Sequence, residues 1–330
     1  MKAQAISSFG DSSVFKTIKI SKPKIKPGYV LIRVVATSVN PVDCKVRSGK
    51  YGQIAPAFPA ILHGDVAGVI EDIGQDVSGF AVGDEVYGCA GGFLGENGAL
   101  AEYMLADAQL IAKKPRKLSM VEAAALPLVS ITAWEALFEK IKVQAGQKVL
   151  IHAGTGGVGH VAIQLAKSAG AEVYTTVSSS DKGDIAKSLG AKDTINYRLE
   201  SVQDYVNRLT HGEGFDVVFD TIGGENLDKS MEAVAMYGNV ISIQAASSHD
   251  LSPLHAKSAS LHAVFMLLPL LHHVQRQRHG DILKEIAMLV DKGNLKPLID
   301  PHLFYFENID KAHSLLESGK AVGKIVVQAY

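Results

Sequence analysis

At 330 residues the chain has room for about two domains and is too long for a single small module. Apolar residues make up 47% and charged residues 20%, and 33 Lys and Arg nearly cancel 34 Asp and Glu, leaving a net charge of -1. This balance excludes long disordered tails and a strongly basic nucleic-acid surface. The two cysteines, Cys44 and Cys89, cannot staple a chain of this size, so a reducing, cytoplasmic compartment is expected. The N-terminus lacks the apolar core of a signal peptide and reads as an edge strand. Leu261 to Leu271 is broken by His262 and Pro269 and falls short of the ~20 residues that span a bilayer. It reads as buried or interfacial packing, and no membrane insertion is expected.

Up to about residue 110 the chain alternates short β-rich runs with turn residues: Val30 to Val35, Ala67 to Gly74, Gly83 to Gly88 and Ala101 to Leu105. That spacing predicts an antiparallel, barrel-like β domain. Twelve of the 31 glycines lie between Gly49 and Gly98, where turns and bulges need them. Ser119 stands three residues before Glu122, a capping box for a helix through Ala123 to Ala125. From Lys148 strands and helices alternate. The strands are Val149 to His152, Glu172 to Val177, Thr194 to Tyr197, Phe215 to Asp220 and Gly238 to Ile243. This order predicts a parallel sheet wrapped by helices. Helices near Asp281 to Asp291 and Ile309 to Ser318 and a last strand, Lys324 to Val327, complete the chain.

Gly154, Thr155, Gly156, Gly157, Val158 and Gly159 form a Gly-x-Gly-x-x-Gly turn directly after a predicted strand. The helix that follows carries Val158, Val161, Ala162, Leu165, Ala166 and Ala169 on one face. Glycines there let the backbone approach a pyrophosphate, which then sits on the free N–H groups of the helix N-terminus. Nineteen residues beyond Gly159, where an NAD site carries Asp or Glu, the chain reads Ser178-Ser-Ser-Asp-Lys182. Ser178 leaves room for a 2'-phosphate and Lys182 can pair with it, so NADPH is favoured. The alternative is that Ser180 or Asp181 caps the next helix and Lys182 is a solvated charge. Asp181 also keeps NADH open.

Taken with Ser38 to Asp43, Arg47 to Tyr51, Gly64 to Ile70, Gly83 to Tyr87, Gly98 to Tyr103, Ile131 to Trp134, Asp220 to Gly224 and Gly323 to Val327, the chain resembles the medium-chain dehydrogenase/reductase superfamily. The resemblance is to its zinc-independent quinone oxidoreductase, or zeta-crystallin-like, branch, and covers nearly the whole chain. It implies an α/β fold: a GroES-like β-barrel catalytic domain from residues 1–124 and 270–330, and a Rossmann domain with a doubly wound parallel sheet from residues 125–269. By motif alignment the Cys, His, Cys zinc set of the related alcohol dehydrogenases falls on Asn40, Asp65 and Leu128. Leucine cannot bind zinc and the soft ligands are gone, so no metal is expected. Cys44 reads as a small buried hydrophobe, His63 as a core or surface histidine, and His272, His273 and His279 as a solvated helix end.

Without a Lewis acid, an electron-poor acceptor is needed, and quinones and α,β-unsaturated carbonyls qualify. The resemblance makes Asn40, Tyr51 and Thr132 the catalytic candidates. Asn40 can donate to a substrate oxygen or the nicotinamide ribose. Tyr51, a neutral phenol, either donates a proton or lines the site, and Thr132 lies near the nicotinamide. Asp43 supports this loop. The resemblance adds Tyr197 beside the 2'-phosphate and Ile222 and Ile243 at strand ends, and leaves Lys324 either reaching the cofactor cleft or on the surface. It also implies a homodimer, formed through the strand near His262 to Met266. The expected activity is NADPH-dependent reduction of a quinone or enone. The competing readings are a 2-enoyl thioester reductase and a low-turnover NADPH-binding structural or sensor protein.

Overall fold

A computed structural model describes residues 1–329. The chain divides into two units, Met1–Ile131 with Leu267–Tyr330, and Thr132–Met266. The first crossing lies inside a helix, Pro127–Trp134.

The first unit opens with a two-stranded ribbon, β1 (Lys2–Ala5) against β2 (Lys16–Lys19). Its main sheet contains β3 (Tyr29–Val39), β4 (Asp65–Ile73), β5 (Glu85–Cys89), β6 (Tyr103–Asp107) and β7 (Ile111–Lys113). It is completed from the far end of the chain by β14 (Phe304–Tyr305) and β15 (Ile325–Gln328). The order is β14-β15-β3-β4-β5-β7, with β6 also on β3, and every pair except β14 with β15 is antiparallel. β3 is long, so it can pair with three strands: β4 along most of its length, β6 over Tyr29 to Arg33 and β15 over Ala36 to Val39. The unit's helices are α1 (Pro41–Arg47), α2 (Met120–Ala124), α3 (Pro127–Trp134), α9 (Leu268–His272), α10 (Arg276–Asp291) and α11 (Ile309–Glu317). The expected Ser119 cap on α2 is present, with the Glu122 carboxylate accepting from the Ser119 N–H at 2.8 Å. Returning α10 is locked to the first half of the chain: Tyr87 donates to the Leu283 carbonyl at 2.6 Å, and Arg276 bridges to Asp107 at 2.8 Å.

The second unit alternates as its sequence predicts: β8 (Lys148–Ile151), α4 (Gly157–Ser168), β9 (Glu172–Val177), α5 (Ser180–Leu189), β10 (Asp193–Asn196), α6 (Val202–Thr210), β11 (Phe215–Asp220), α7 (Glu225–Ala233), β12 (Val234–Ser242), α8 (Ser252–Lys257) and β13 (Ser260–Ala263). All six strands are parallel in the order β10-β9-β8-β11-β12-β13. The order reverses between β8 and β11, and that reversal opens a crevice at the strands' carboxyl ends. Leu150, Tyr174, Ile195, Phe215 and Val240 fill one face of the sheet, under Tyr205 and Met231 of α6 and α7.

Several side chains bear on the sequence reading. The stretch from Leu261 to Leu271 is mixed: Met266, Leu267 and Leu270 are buried, while Leu261, Phe265 and Leu268 are exposed. His272 and His273 are exposed, but His279 is fully buried on α10, so the three form no solvated cluster. Among the described residues no group of His, Cys, Asp and Glu is arranged to hold a metal ion, and no helix is long and apolar enough to cross a membrane.

Candidate functional site

In the second unit the glycine turn links β8 to α4, next to the reversal in strand order. The Ala153 N–H donates to Thr176 Oγ1 at 3.0 Å and the Gly154 N–H to the Thr176 carbonyl at 3.1 Å, so β9 fixes the start of the turn. A Cβ on Gly154 would lie 2.2 Å from Thr175 Oγ1, and one on Gly159 would lie 2.2 Å from the Ala153 carbonyl oxygen. Gly156 caps α4 with no side chain, leaving the N–H groups of the first turn to a ligand. The cradle, its missing side chains and the helix N-terminus suit a dinucleotide pyrophosphate.

Ser178, Lys182 and Tyr197 follow β9 and β10 at the same end of the sheet. The cap of α5 is Ser179, which accepts from the Lys182 N–H at 3.5 Å, rather than Ser180 or Asp181. Lys182 is half-buried and makes no ion pair among the described residues. Tyr197 is 51% exposed, and the Arg198 guanidinium lies over its ring at 5.8 Å. Arg198 was not read from the sequence; its only signal there is its place next to Tyr197. Arg208, by contrast, is spent on Asp193 and Glu200 at 2.7 Å each. Ile222 is 47% exposed beyond β11, and Ile243 is half-buried beyond β12. The Asp220 carboxylate holds that end together, accepting from the N–H of Ile222 and Gly223, from Asn226 and from Ser242 at 2.8 to 3.1 Å.

The first unit gathers Asn40, Asp65 and Leu128 into one buried cluster. Asp65 Oδ2 accepts from Asn40 Nδ2 and Ser38 Oγ, both at 2.7 Å, and its Oδ1 accepts from the Leu128 N–H at 2.8 Å. Lys324 enters from the residue before β15 and is only 2% exposed, not a surface lysine. Its ammonium donates to Asn40 Oδ1, to the Val39 carbonyl at 3.1 Å, and lies 3.5 Å from Asp65 Oδ2. Burial pulls the Lys324 pKa down, and Asp65 and Asp43 pull it back up. Asp43, at the start of α1, accepts from the Asn40 N–H at 2.8 Å, and burial pushes its carboxyl up to about 7.

A second buried chain leaves the backbone of Asp65. Thr37 donates to the Asp65 carbonyl at 2.5 Å, so it accepts from His63 Nδ1 at 3.2 Å. His63 Nε2 then accepts from His313 Nε2 at 2.8 Å, and His313 Nδ1 accepts from Cys44 Sγ at 3.3 Å. Two neutral imidazoles with this one set of protons satisfy every link. Burial holds the His63 pKa down to about 3 and that of His313 well below the usual range, and drives the Cys44 thiol up to about 12. Cys44 is therefore buried as expected, but it also donates a hydrogen bond.

Tyr51 follows α1 on a short turn, half-buried, with the Lys45 ammonium 5.1 Å from its ring centroid. Phe9 packs on the glycines to either side. A Cβ on Gly49 would meet the Phe9 ring at 3.1 Å and one on Gly52 at 2.8 Å, so both glycines are needed for this close approach. Phe9, 40% exposed, meets Phe58 edge to face at 5.0 Å. Thr132 is buried on α3, which runs on into a π-helical turn at Glu135–Lys140.

A GroES-like unit and a Rossmann unit with a phosphate-binding turn define the two-domain dehydrogenase class of α/β proteins. The family described as alcohol dehydrogenase GroES-like domain matches residues 26–116, and that described as zinc-binding dehydrogenase matches residues 189–327. A tomato (Solanum lycopersicum) protein named 2-methylene-furan-3-one reductase is 36% identical, over 99% of this chain and 79% of its own length. The human (Homo sapiens) protein named quinone oxidoreductase is 30% identical over 99% and 97%. The crystal structure of an alcohol dehydrogenase superfamily protein from Novosphingobium aromaticivorans superposes with a TM-score of 0.95 at 39% identity, covering 100% of both chains. The chain belongs to the medium-chain dehydrogenase/reductase superfamily, in its zeta-crystallin-like quinone oxidoreductase family.

The zinc in one of those family descriptions does not fit this chain. At Asn40, Asp65 and Leu128 the donors are one amide, one carboxylate and a side chain with no donor atom. A lysine ammonium is already bonded to the amide oxygen. No step is derived through a metal here.

Proposed function

We propose that the chain is an NADPH-dependent, zinc-independent reductase that passes hydride to quinones or α,β-unsaturated carbonyls. The observation that carries this reading is the pairing of a dinucleotide turn at the strand-order reversal with a dehydrogenase site whose metal-ligand positions are occupied by an amide, a carboxylate and leucine. Bound NADPH supplies the hydride. With no Lewis acid among these donors, the acceptor must already be electron-poor, and both related names belong to such chemistry. A half-buried Lys182 without an ion pair, at the same end of the sheet as Ser178, Tyr197 and Arg198, favours a 2'-phosphate. Hydride adds to the β-carbon or a quinone ring position, the π electrons move to oxygen, and that oxygen or the α-carbon then takes a proton. Asn40 donates to the oxygen or to the nicotinamide ribose. Tyr51 either gives up the proton or lines the acceptor's wall, and Thr132 holds the nicotinamide end. Ile222 and Ile243 border the ring. We place the protein in the cytoplasm, since both cysteines are buried thiols, and as a homodimer paired along the edge strand β13.

NADPH oxidation followed at 340 nm with quinones, enones and enoyl thioesters tests the reading. Turnover with quinones or enones is expected. Turnover confined to enoyl thioesters replaces the substrate class, and tight NADPH binding with no turnover replaces the enzyme by a binding protein. Tyr51→Phe is expected to lower kcat by about 100-fold if the phenol is the proton source. A full rate assigns Tyr51 to the wall alone. Lys182→Ala should raise the KM for NADPH by about tenfold and leave that for NADH unchanged, the size of one charge-assisted pair. Equal effects on both cofactors would remove the phosphate assignment.

Phe9 supplies a further test, because its ring braces the loop that carries Tyr51. Phe9→Ala empties the space beside Gly49 and Gly52, and Gly52→Ala drives the ring out of it. Both are expected to raise the acceptor KM about fivefold with NADPH affinity unchanged, since a misplaced loop loses orientation rather than cofactor contacts. An unchanged acceptor KM in both variants would separate this loop from the acceptor.

A further inference from the structure

Two of the three positions that align with the zinc ligands of the zinc-dependent relatives, Asn40 and Asp65, face an ammonium here, and its surroundings are built for one. Lys324, Asn40, Asp65 and Ser38 are all nearly or fully buried, so none of these groups is satisfied by bulk water. The ammonium faces three oxygens, Asn40 Oδ1, the Val39 carbonyl and Asp65 Oδ2. Asp65 in turn is ringed by donors: Ser38, Asn40, the Leu128 N–H and Lys324. The strand register brings the lysine in, since β15 pairs Ile325 with Val39 and so sets Lys324 beside Asn40.

We propose that the Lys324 ammonium is the built-in cation of this site: it balances the Asp65 carboxylate, fixes the orientation of the Asn40 amide, and takes the place a divalent metal would need. With Oδ1 turned to the ammonium and Nδ2 to Asp65, the amide cannot flip without setting N–H groups against a cation. Its second Nδ2 proton is then the one it offers to a ligand oxygen. A buried carboxylate stripped of its counter-charge is strongly destabilising, whereas removing both charges together is tolerated. Lys324 is a positioning residue, acting on a ligand only through Asn40. The catalytic part of this inference rests on the role proposed above for Asn40, while the charge-balance and metal parts do not.

The test uses the full-length chain and the variants Lys324→Met, Lys324→Gln, Asp65→Asn and the Asp65→Asn/Lys324→Met double variant. Lys324→Met is expected to lower Tm by about 10 °C, with the double variant recovering most of the loss. If the single variant does not fold, the double variant is expected to fold. An unchanged Tm in Lys324→Met, or a double variant no better than the single, overturns the charge balance. Wild-type protein incubated with zinc chloride and desalted should carry no zinc above the buffer blank. One zinc per chain overturns the exclusion. Lys324→Met also leaves Asn40 Oδ1 without its donor and is expected to lower kcat about tenfold with NADPH affinity unchanged, a loss that Lys324→Gln, which keeps a donor, partly restores. A wild-type kcat in Lys324→Met, or in the double variant where the single one does not fold, overturns the positioning role. The stability and zinc measurements need no turnover, so a failure of the reductase reading leaves them standing.

Discussion

Replacing Gly159 by alanine is expected to weaken NADPH binding by about 100-fold, the size of a 1–3 kcal/mol overpacking penalty placed directly under the ligand. The added Cβ would start 2.2 Å from the Ala153 carbonyl oxygen and 2.9 Å from its carbon, both backbone atoms. No side chain can move aside, so either the turn or the first turn of α4 must shift, and these are the groups offered to the pyrophosphate. Gly154 differs in kind. Its Cβ would meet the Thr175 side chain, at 2.2 Å from Oγ1. Gly154→Ala should therefore be partly relieved by Thr175→Ala, at the cost of the hydrogen bond from Thr175 to the Ile151 carbonyl. No neighbouring side-chain change should relieve Gly159→Ala. Quenching of intrinsic fluorescence by NADPH measures both, with circular dichroism to check that the sheet is kept. Wild-type affinity in Gly159→Ala would mean that this turn does not carry the phosphates.

The phosphate turn was legible because everything it needs is local: strand, glycines and apolar helix face fall within about 20 residues of one another. The alternation of strands and helices in the second unit is local too, and β9 and β11 lie where their patterns put them. Errors of a residue or so came at helix ends, as with Ser179 taking the cap of α5, since neighbouring serines offer the same hydroxyl. The buried clusters were not legible, because long-range register assembles them. Lys324 and Asn40 are 284 residues apart, and His63 and His313 are 250 apart. His279 was misread for another reason. Its polar neighbours suggested solvent, yet Arg276, His279, Gly280 and Leu283 repeat at helical spacing and all face inward on α10. Arg198 lay in plain view next to Tyr197, but only the folded chain shows its guanidinium over the Tyr197 ring, at the end of β10 that pairs with the end of β9.

Stability is expected to fall steeply as the pH drops below about 6.5, and the linked histidines set the slope. His63, His313 and His152 are buried, and burial holds their folded pKa values down, to about 3 for His63 and about 4 for His152, against 6.5 when exposed. Arg47 and Lys324 are the cations that also press on the linked pair. Between pH 6.5 and 4 the unfolded chain therefore binds protons that the folded chain refuses. The stability these neutral rings contribute is complete above pH 6.5 and is lost as the pH falls toward the folded values. Asp43 acts in the opposite sense. Its folded pKa is raised to about 7 from 3.8, so the folded chain binds the extra proton, and stability from this group grows as the pH falls through 7. At pH 5 the unfolded state holds about two more protons in all, a slope of roughly 3 kcal/mol per pH unit. Protonating either ring also breaks the chain of hydrogen bonds, because His63 Nε2 and His313 Nδ1 must both stay acceptors. Urea unfolding between pH 7.5 and 4.5 measures the slope. Asp43→Asn, which keeps an acceptor for the Asn40 N–H, should make it steeper by about half, while His313→Phe should be less stable at pH 7 yet lose stability more gently in acid. A flat profile in the wild type, or an unchanged slope in both variants, would mean that these groups are not the ones that titrate on unfolding.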